Sequence, residues 1–189
     1  MSKTNGKSDR DVVIVSAART PIGKFMGALS SLSSTQLGAV AVREAVTRAG
    51  IDAKLIDEVI MGQVVAAGAG QSPGRQAAIF AGLPDTVGAI SVNKACGSGL
   101  EAVMLAAAMI KAGDGDIYVS GGMESMTNAP YLLPSGRTGN RYGDVKLLDS
   151  VIHDGLWCAF ENHIMGNSAE FIADKYEVTR EEMDDFSLK

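Results

Sequence analysis

The sequence predicts an α/β fold. Three observations carry that expectation. Short β-branched runs alternate with stretches of helical apolar spacing, and Gly or Pro stands at most of the boundaries between them. Glycine reaches 22 of 189 residues while aromatic residues stop at 5%, a balance that suits close backbone approach better than a bulky sandwich core. Strands alternating with helices imply right-handed crossovers and a sheet covered by helices.

The elements follow in order. After a polar leader over residues 1–11, Val12, Val13, Ile14 and Val15 read as a buried strand. Arg19-Thr20-Pro21-Ile22-Gly23 is a loop by its Pro and Gly. Leu37, Val40, Ala41, Ala45 and Val46 recur at helical spacing, and Gly50 supplies the stop. Val59, Ile60, Met61, Val64 and Val65 mark a second strand. Pro73 opens a short helix that Gly82 and Pro84 close. A third strand over 89–92 runs straight into an Ala-rich helix over 96–112, apolar nearly all round and therefore expected to be buried. A fourth strand over 116–120 ends in Gly121-Gly122. From about Ser125 the rhythm breaks: residues 128–142 read as a long loop, 147–160 and 166–176 as helices. Thr179 with Glu182 forms a capping box for a last helix.

Composition bounds the function. The net charge is −5, so there is no global basic footprint for nucleic acid. Cys96 and Cys158 stand far apart, which fits neither a disulfide framework nor a metal-ligand spacing. The leader lacks an apolar core of a secretory signal, and the longest apolar run, 102–110, is short of a bilayer span. A reducing, cytoplasmic setting is the expectation.

The segment richest in chemistry is Asn93-Lys94-Ala95-Cys96-Gly97-Ser98-Gly99. It delivers a cysteine to the start of a helix, where free amides and the positive dipole end favour negative charge on sulfur. The same amides suit an oxyanion formed when a thiolate attacks a carbonyl, and the glycines leave room for an acyl group. A small buried cysteine without chemistry fits the same spacing. Gly68, Gly70 and Gly74 lack the pattern of a phosphate loop.

With these motifs the chain resembles the thiolases, acyl-CoA acyltransferases that make or cleave 3-ketoacyl-CoA. The resemblance rests on Arg19-Thr20-Pro21-Ile22-Gly23-Lys24-Phe25, Gly70-Gln71-Ser72-Pro73-Gly74-Arg75-Gln76, the cysteine segment, Gly121-Gly122-Met123-Glu124-Ser125-Met126, Asp154-Gly155-Leu156 and Met165-Gly166. It implies a layered α/β/α half with a mixed sheet over 12–124, and a loop-rich excursion with helices over 125–189 making oligomer and CoA-side contacts. It makes Cys96 the nucleophile, held as an acyl thioester, and sets Leu156 and Met165 near the pantetheine arm and acyl group. Acyl-CoA is then the substrate, with no bound cofactor, no metal, no nucleic acid and no membrane.

The sequence also departs from the family. Many short-chain thiolases carry His directly before the Met-Gly pair, where Ile164 stands here with His163 one residue earlier. Cys158 matches no family nucleophile and reads as core. The family has two similar halves, and its base histidine, oxyanion asparagine and second cysteine come from the later one. The last strand of the first sheet also lies beyond the excursion. The expectation is therefore an N-terminal half, incomplete without a second polypeptide that supplies the His and the second Cys, in a hetero-oligomer. The alternatives are a non-catalytic CoA-binding or scaffolding subunit, or an inactive fragment.

Overall fold

The computed structural model describes residues 11–189, so the polar leader lies outside the described residues except for Asp11. Two compact units divide the chain, one running to Pro130 and the other Tyr131–Lys189. The sequence expectation drew the boundary after Glu124. The short turn Met126–Asn128 stays with the first unit, because Asn128 Nδ2 donates to the carbonyls of Ser30 and Leu32, each at 2.9 Å.

The first unit is built around strands β1 (Glu58–Gly62), β2 (Gly88–Val92) and β3 (Tyr118–Gly122), parallel in the order β2-β1-β3. Helices α1 (Ser34–Ala49), α2 (Pro73–Phe80) and α3 (Ser98–Ala112) alternate with them. Alternation along β1 sorts the layers. Val59 and Met61 pack with Ala39 and Val42 of α1 and Ala77 and Ala78 of α2. Ile60, on the opposite face, packs with Ala102 and Ala106 of α3. Among the described residues, antiparallel pairing is confined to the second unit.

Local signals account for the helix ends. Ser33 and Gln36 close a capping box at the start of α1, and Gly50 ends it at φ 64. Pro73 opens α2, where a missing N–H costs nothing. At the N-terminal ends of β1 and β3, Asp57 Oδ2 accepts from the amides of Asp116 and Ile117 at 2.7 and 2.9 Å, and the Asp57 amide donates to Ile117 O.

Further expectations fail in the first unit. The second strand stops at Gly62, leaving Val64 and Val65 in the loop beyond it. The run over 12–15 is extended but pairs with no strand, and Val13, Ile14 and Val15 are 72%, 78% and 66% exposed. It hangs on α1 through Ser16 Oγ donating to Ala45 O and Arg48 donating to Ala17 O. The fourth strand sits two residues later than expected, taking in Gly121 and Gly122. The helix after the cysteine buries one face only: Ala102 and Ala106 are buried, but Leu100 and Met104 are 67% and 54% exposed. By length and composition the stretch Ala95–Ala112 would pass as a membrane span, yet it packs on the sheet as a layer of this unit.

The second unit holds two-residue antiparallel ladders, β4 (Tyr131–Leu132) with β5 (Leu148–Asp149) and β6 (Trp157–Cys158) with β7 (His163–Ile164). Helices α4 (Met165–Tyr176) and α5 (Arg180–Leu188) follow, the latter with the expected Thr179–Glu182 capping box. The helix expected over 147–160 is absent. A π-helical turn, Val151–Leu156, lies between β5 and β6 instead. Gly155 and the paired Trp157 and Cys158 interrupt any longer helix there. Cys158 is half-buried rather than core, and its Sγ accepts from the Glu161 amide at 3.4 Å.

Candidate active site

Glycine lets α3 descend onto the C-terminal ends of the strands. A Cβ added at Gly62 would lie 2.5 and 2.6 Å from the backbone C and O of Ser98. One at Gly122 would lie 3.2 Å from the Cα of Gly99. The first turn of α3 thus rests directly on the ends of β1 and β3, a fit no larger residue allows.

Cys96 sits in the turn ahead of this helix. The sequence expectation placed it on the first helical residue; α3 begins at Ser98, with Gly97 as N-cap and Cys96 one step earlier. Ala95 adopts φ 47, a left-handed conformation that costs a non-glycine residue energy and needs support from its surroundings. That support is visible. The Asn93 side chain accepts from the Ala95 amide at 2.9 Å, and Ser98 Oγ donates to the Ala95 carbonyl at 2.6 Å while accepting from the Lys94 amide at 2.8 Å. Cys96 is exposed at this turn. Gly97 brings no side chain to cap the helix, and the amides of Gly97 and Ser98 donate to the carbonyls of Lys94 and Ala95 at 3.1 and 3.0 Å. Lys94 Nζ is held by Glu101 Oε2 at 2.6 Å.

The turn is tied to the neighbouring strand ends. Asn93 Nδ2 donates to Val64 O at 3.1 Å. The amides of Val64 and Val65 donate to Glu124 Oε2 at 2.8 and 3.3 Å. Burial pushes the Glu124 carboxyl above the ordinary glutamate range, against the Val64 and Val65 amides and the Gln63 side chain, which pull it down. Beside it, Gln63 is 4% exposed and donates from Nε2 to Ser34 Oγ and Val65 O. Sequence reasoning named neither Glu124 nor Asn93 as site residues, although both lie inside the quoted motifs. Only a tertiary contact across some 60 residues of chain reveals what Glu124 holds.

The other two residues singled out from the sequence belong to the second unit. The β6–β7 register pairs Trp157 with Ile164, so Leu156 and Met165 stand next to each other in register just beyond the ladder. Leu156 is half-buried and Met165 exposed. His163 sits in β7 with Nε2 2.8 Å from Ser168 Oγ.

A family model described as the thiolase N-terminal domain matches residues 12–189. The acetyl-CoA acetyltransferase of Cupriavidus necator is 54% identical over 178 residues, covering 94% of this chain and 45% of its own length. That of Pseudomonas aeruginosa is 52% identical over the same span and shares. Acetyl-CoA acetyltransferase 2 of Arabidopsis thaliana is 48% identical over 180 residues, 95% of this chain and 45% of its own. The chain thus spans a little under half the length of the curated relatives it matches. An α/β unit that carries its cysteine on a strained turn, matched over nearly its whole length by the N-terminal model, belongs to the thiolase family.

Proposed function

We propose that this chain supplies the nucleophile of a thiolase-type acyl-CoA acyltransferase and works with a complementary thiolase half on a second polypeptide. The observation that carries the reading is Cys96 itself, exposed on a strained turn directly ahead of an uncapped helix. Its thiolate adds to the carbonyl of an acyl-CoA, and the α3 amides stabilise the oxyanion. The tetrahedral adduct collapses by breaking the bond to CoA sulfur. CoA leaves as a thiol with the proton that the complementary half's histidine took from Cys96, and the acyl group stays on Sγ. That half's second cysteine then removes the α-proton of another acyl-CoA. The carbanion attacks the acyl-enzyme, a C–C bond forms, the C–Sγ bond breaks, and the proton held by the second cysteine passes to the departing sulfur, which restores both cysteines. Thiolysis is the reverse.

Two open surfaces support a complementary half. An apolar slot of about 350 Å3 lies between residues 12–18 and the outer edge of β3, lined by Val13, Val15, Ala41, Ala106, Tyr118 and Ser120. Its two walls are an unpaired β-branched segment and an unpaired strand edge, the features that accept an added strand. The exposed Leu100–Met104 face of α3 is the second. On the same reading residues 125–189 make the oligomer and CoA-side contacts, with Leu156 and Met165 against the pantetheine arm. The assembly then works in the cytoplasm, where the thiol stays reduced, without a bound metal.

Intact mass measurement tests the reading. Co-expressed with a complementary half and exposed to acetyl-CoA, the chain gains the mass of one acetyl group, and Cys96→Ala gains none. A Cys96→Ala chain acetylated to full stoichiometry would overturn the assignment. Tight acetyl-CoA binding with no mass gain would identify a non-catalytic CoA-binding subunit instead.

A further inference from the structure

Gln63 and Glu124 leave a discrepancy that Cys96 chemistry does not use. Among the described residues, Gln63 Oε1 and Glu124 Oε1 are buried without a hydrogen-bond partner. Two orphaned acceptors in one place are costly. Rotating the Gln63 amide does not repair it: the atom 3.1 Å from the Val65 carbonyl has to be a donor, so Nε2 is fixed there and Oε1 stays on the other side. The Gln63 side chain acts on the Glu124 carboxyl in the sense that favours its charge, and burial outweighs it. A single proton on Glu124 Oε1, donated to Gln63 Oε1, satisfies both atoms. Oε2 is then left to accept from Val64 and Val65, as observed.

We propose that Glu124 is a positioning residue for Cys96: as an uncharged acid it clasps the 63–65 loop, and through Val64 O and Asn93 it holds Ala95 in the left-handed conformation that presents the thiol. The chain of contacts is continuous, from Glu124 Oε2 to the Val64 amide, from Val64 O to Asn93 Nδ2, and from Asn93 Oδ1 to the Ala95 amide. The groups acting on Glu124 are the Val64 and Val65 amides and the Gln63 side chain, none of them charged. From α1 the group facing Gln63 is the Ser34 hydroxyl. On the cysteine turn the charged side chain is Lys94, already held by Glu101. With the clasp open, Ala95 relaxes toward negative φ and carries the sulfur away from the amides of α3. The role in acyl transfer rests on the function proposed above; the positioning itself does not.

The test is the rate at which iodoacetamide alkylates Cys96, followed by peptide-resolved mass spectrometry on the full chain across pH, with circular dichroism as the folding check. Glu124→Ala slows Cys96 about fivefold, the equivalent of one lost net hydrogen bond. Glu124→Gln stays within about twofold of wild type, because its amide both accepts from Val64 and donates to Gln63 Oε1. Asn93→Ala slows the reaction equally, and adding Glu124→Ala to it costs nothing more. An unchanged rate in Asn93→Ala, a Glu124→Gln as slow as Glu124→Ala, or losses that multiply would each overturn the proposal. Should Glu124→Ala fail to fold, Asn93→Ala and Glu124→Gln decide alone: slow and normal support it, any other pair overturns it. Alkylation needs no acyl-CoA, so a Cys96 that is positioned this way but never acetylated would sink the acyl-transfer reading and leave this one standing.

Discussion

The two units bury their side chains very differently. In the first, Val59, Ile60, Ala77, Ala78 and Ala102 are fully buried, and α1, α2 and α3 each contribute to the packing. In Tyr131–Lys189 the one buried residue among those described is Ser150, and α4 and α5 bury nothing. Phe160, Phe171 and Phe186 are all exposed. The hydrophobic effect scales with apolar area removed from water, so one unit has its driving force in place and the other does not. The second unit is held by capping, short ladders and local ion pairs such as Arg180 with Asp184, each worth a fraction of a kcal/mol at an exposed site.

Amide hydrogen exchange gives the largest contrast. The β1 amides open only with the unit as a whole, at a cost of about 5 kcal/mol or more. Those of α5 open locally at a cost near zero. Equal protection in β1 and α5 would show that the second unit has a core this structure lacks.

Paired glycine substitutions turn the contrast into opposite signs. Gly62→Ala drives a Cβ into the backbone of Ser98 and costs about 1–3 kcal/mol in denaturant unfolding, the range for overpacking. Gly166→Ala, on α4 with no atom within 4 Å of the new Cβ, is neutral or stabilises by up to about 1 kcal/mol. A destabilising Gly166→Ala would mean that the open second unit packs more tightly than its exposure indicates.

What was legible in the sequence divides along the same line. The three helices of the first unit and its three strands carry local signals: Gly50 as a stop, Pro73 as a start, β-branched runs between them. Val12, Val13, Ile14 and Val15 carry an equally good local signal and form no strand, because pairing depends on an edge elsewhere in space. In residues 147–160 the apolar positions suit a helix and a ladder alike, and with no core to choose between them the short ladders and π-turn form. Cys96 was legible from its glycines and from family resemblance. Glu124 was in plain sight in its motif, but the amides it holds lie some 60 residues away.

Within the first unit the comparison sharpens to residue level. Val59→Ala removes two fully buried methyl groups facing α1 and α2 and costs about 2 kcal/mol. Leu100→Ala removes more atoms from the exposed face of α3 and changes stability by less than about 0.5 kcal/mol in this chain alone. Bound to a complementary half, Leu100→Ala becomes costly if that face is covered. A Leu100→Ala chain that loses as much stability alone as Val59→Ala would place α3 inside the core and remove one of the two surfaces offered for a partner.

The smallest effect lies at the two ends of the sheet, where two carboxyls titrate in opposite senses. The amides of Ile117 and Asp116 hold Asp57 below its ordinary 3.8, so it binds protons less readily folded than unfolded. Its contribution is present above that ordinary value and is lost as pH falls through the lowered one. Burial holds Glu124 above its ordinary 4.5, so its contribution is present below that value and is lost as pH rises through the raised one. Asp57 is open to solvent and screened, which makes its share modest. Asp57→Asn therefore flattens the acid side of a stability–pH curve, and Glu124→Gln flattens the decline on the other side. Urea unfolding between pH 3 and 7 reads both slopes. A Glu124→Gln curve parallel to wild type would show that the carboxyl at the cysteine end binds protons equally when folded and unfolded, and that the clasp at Gln63 is made some other way.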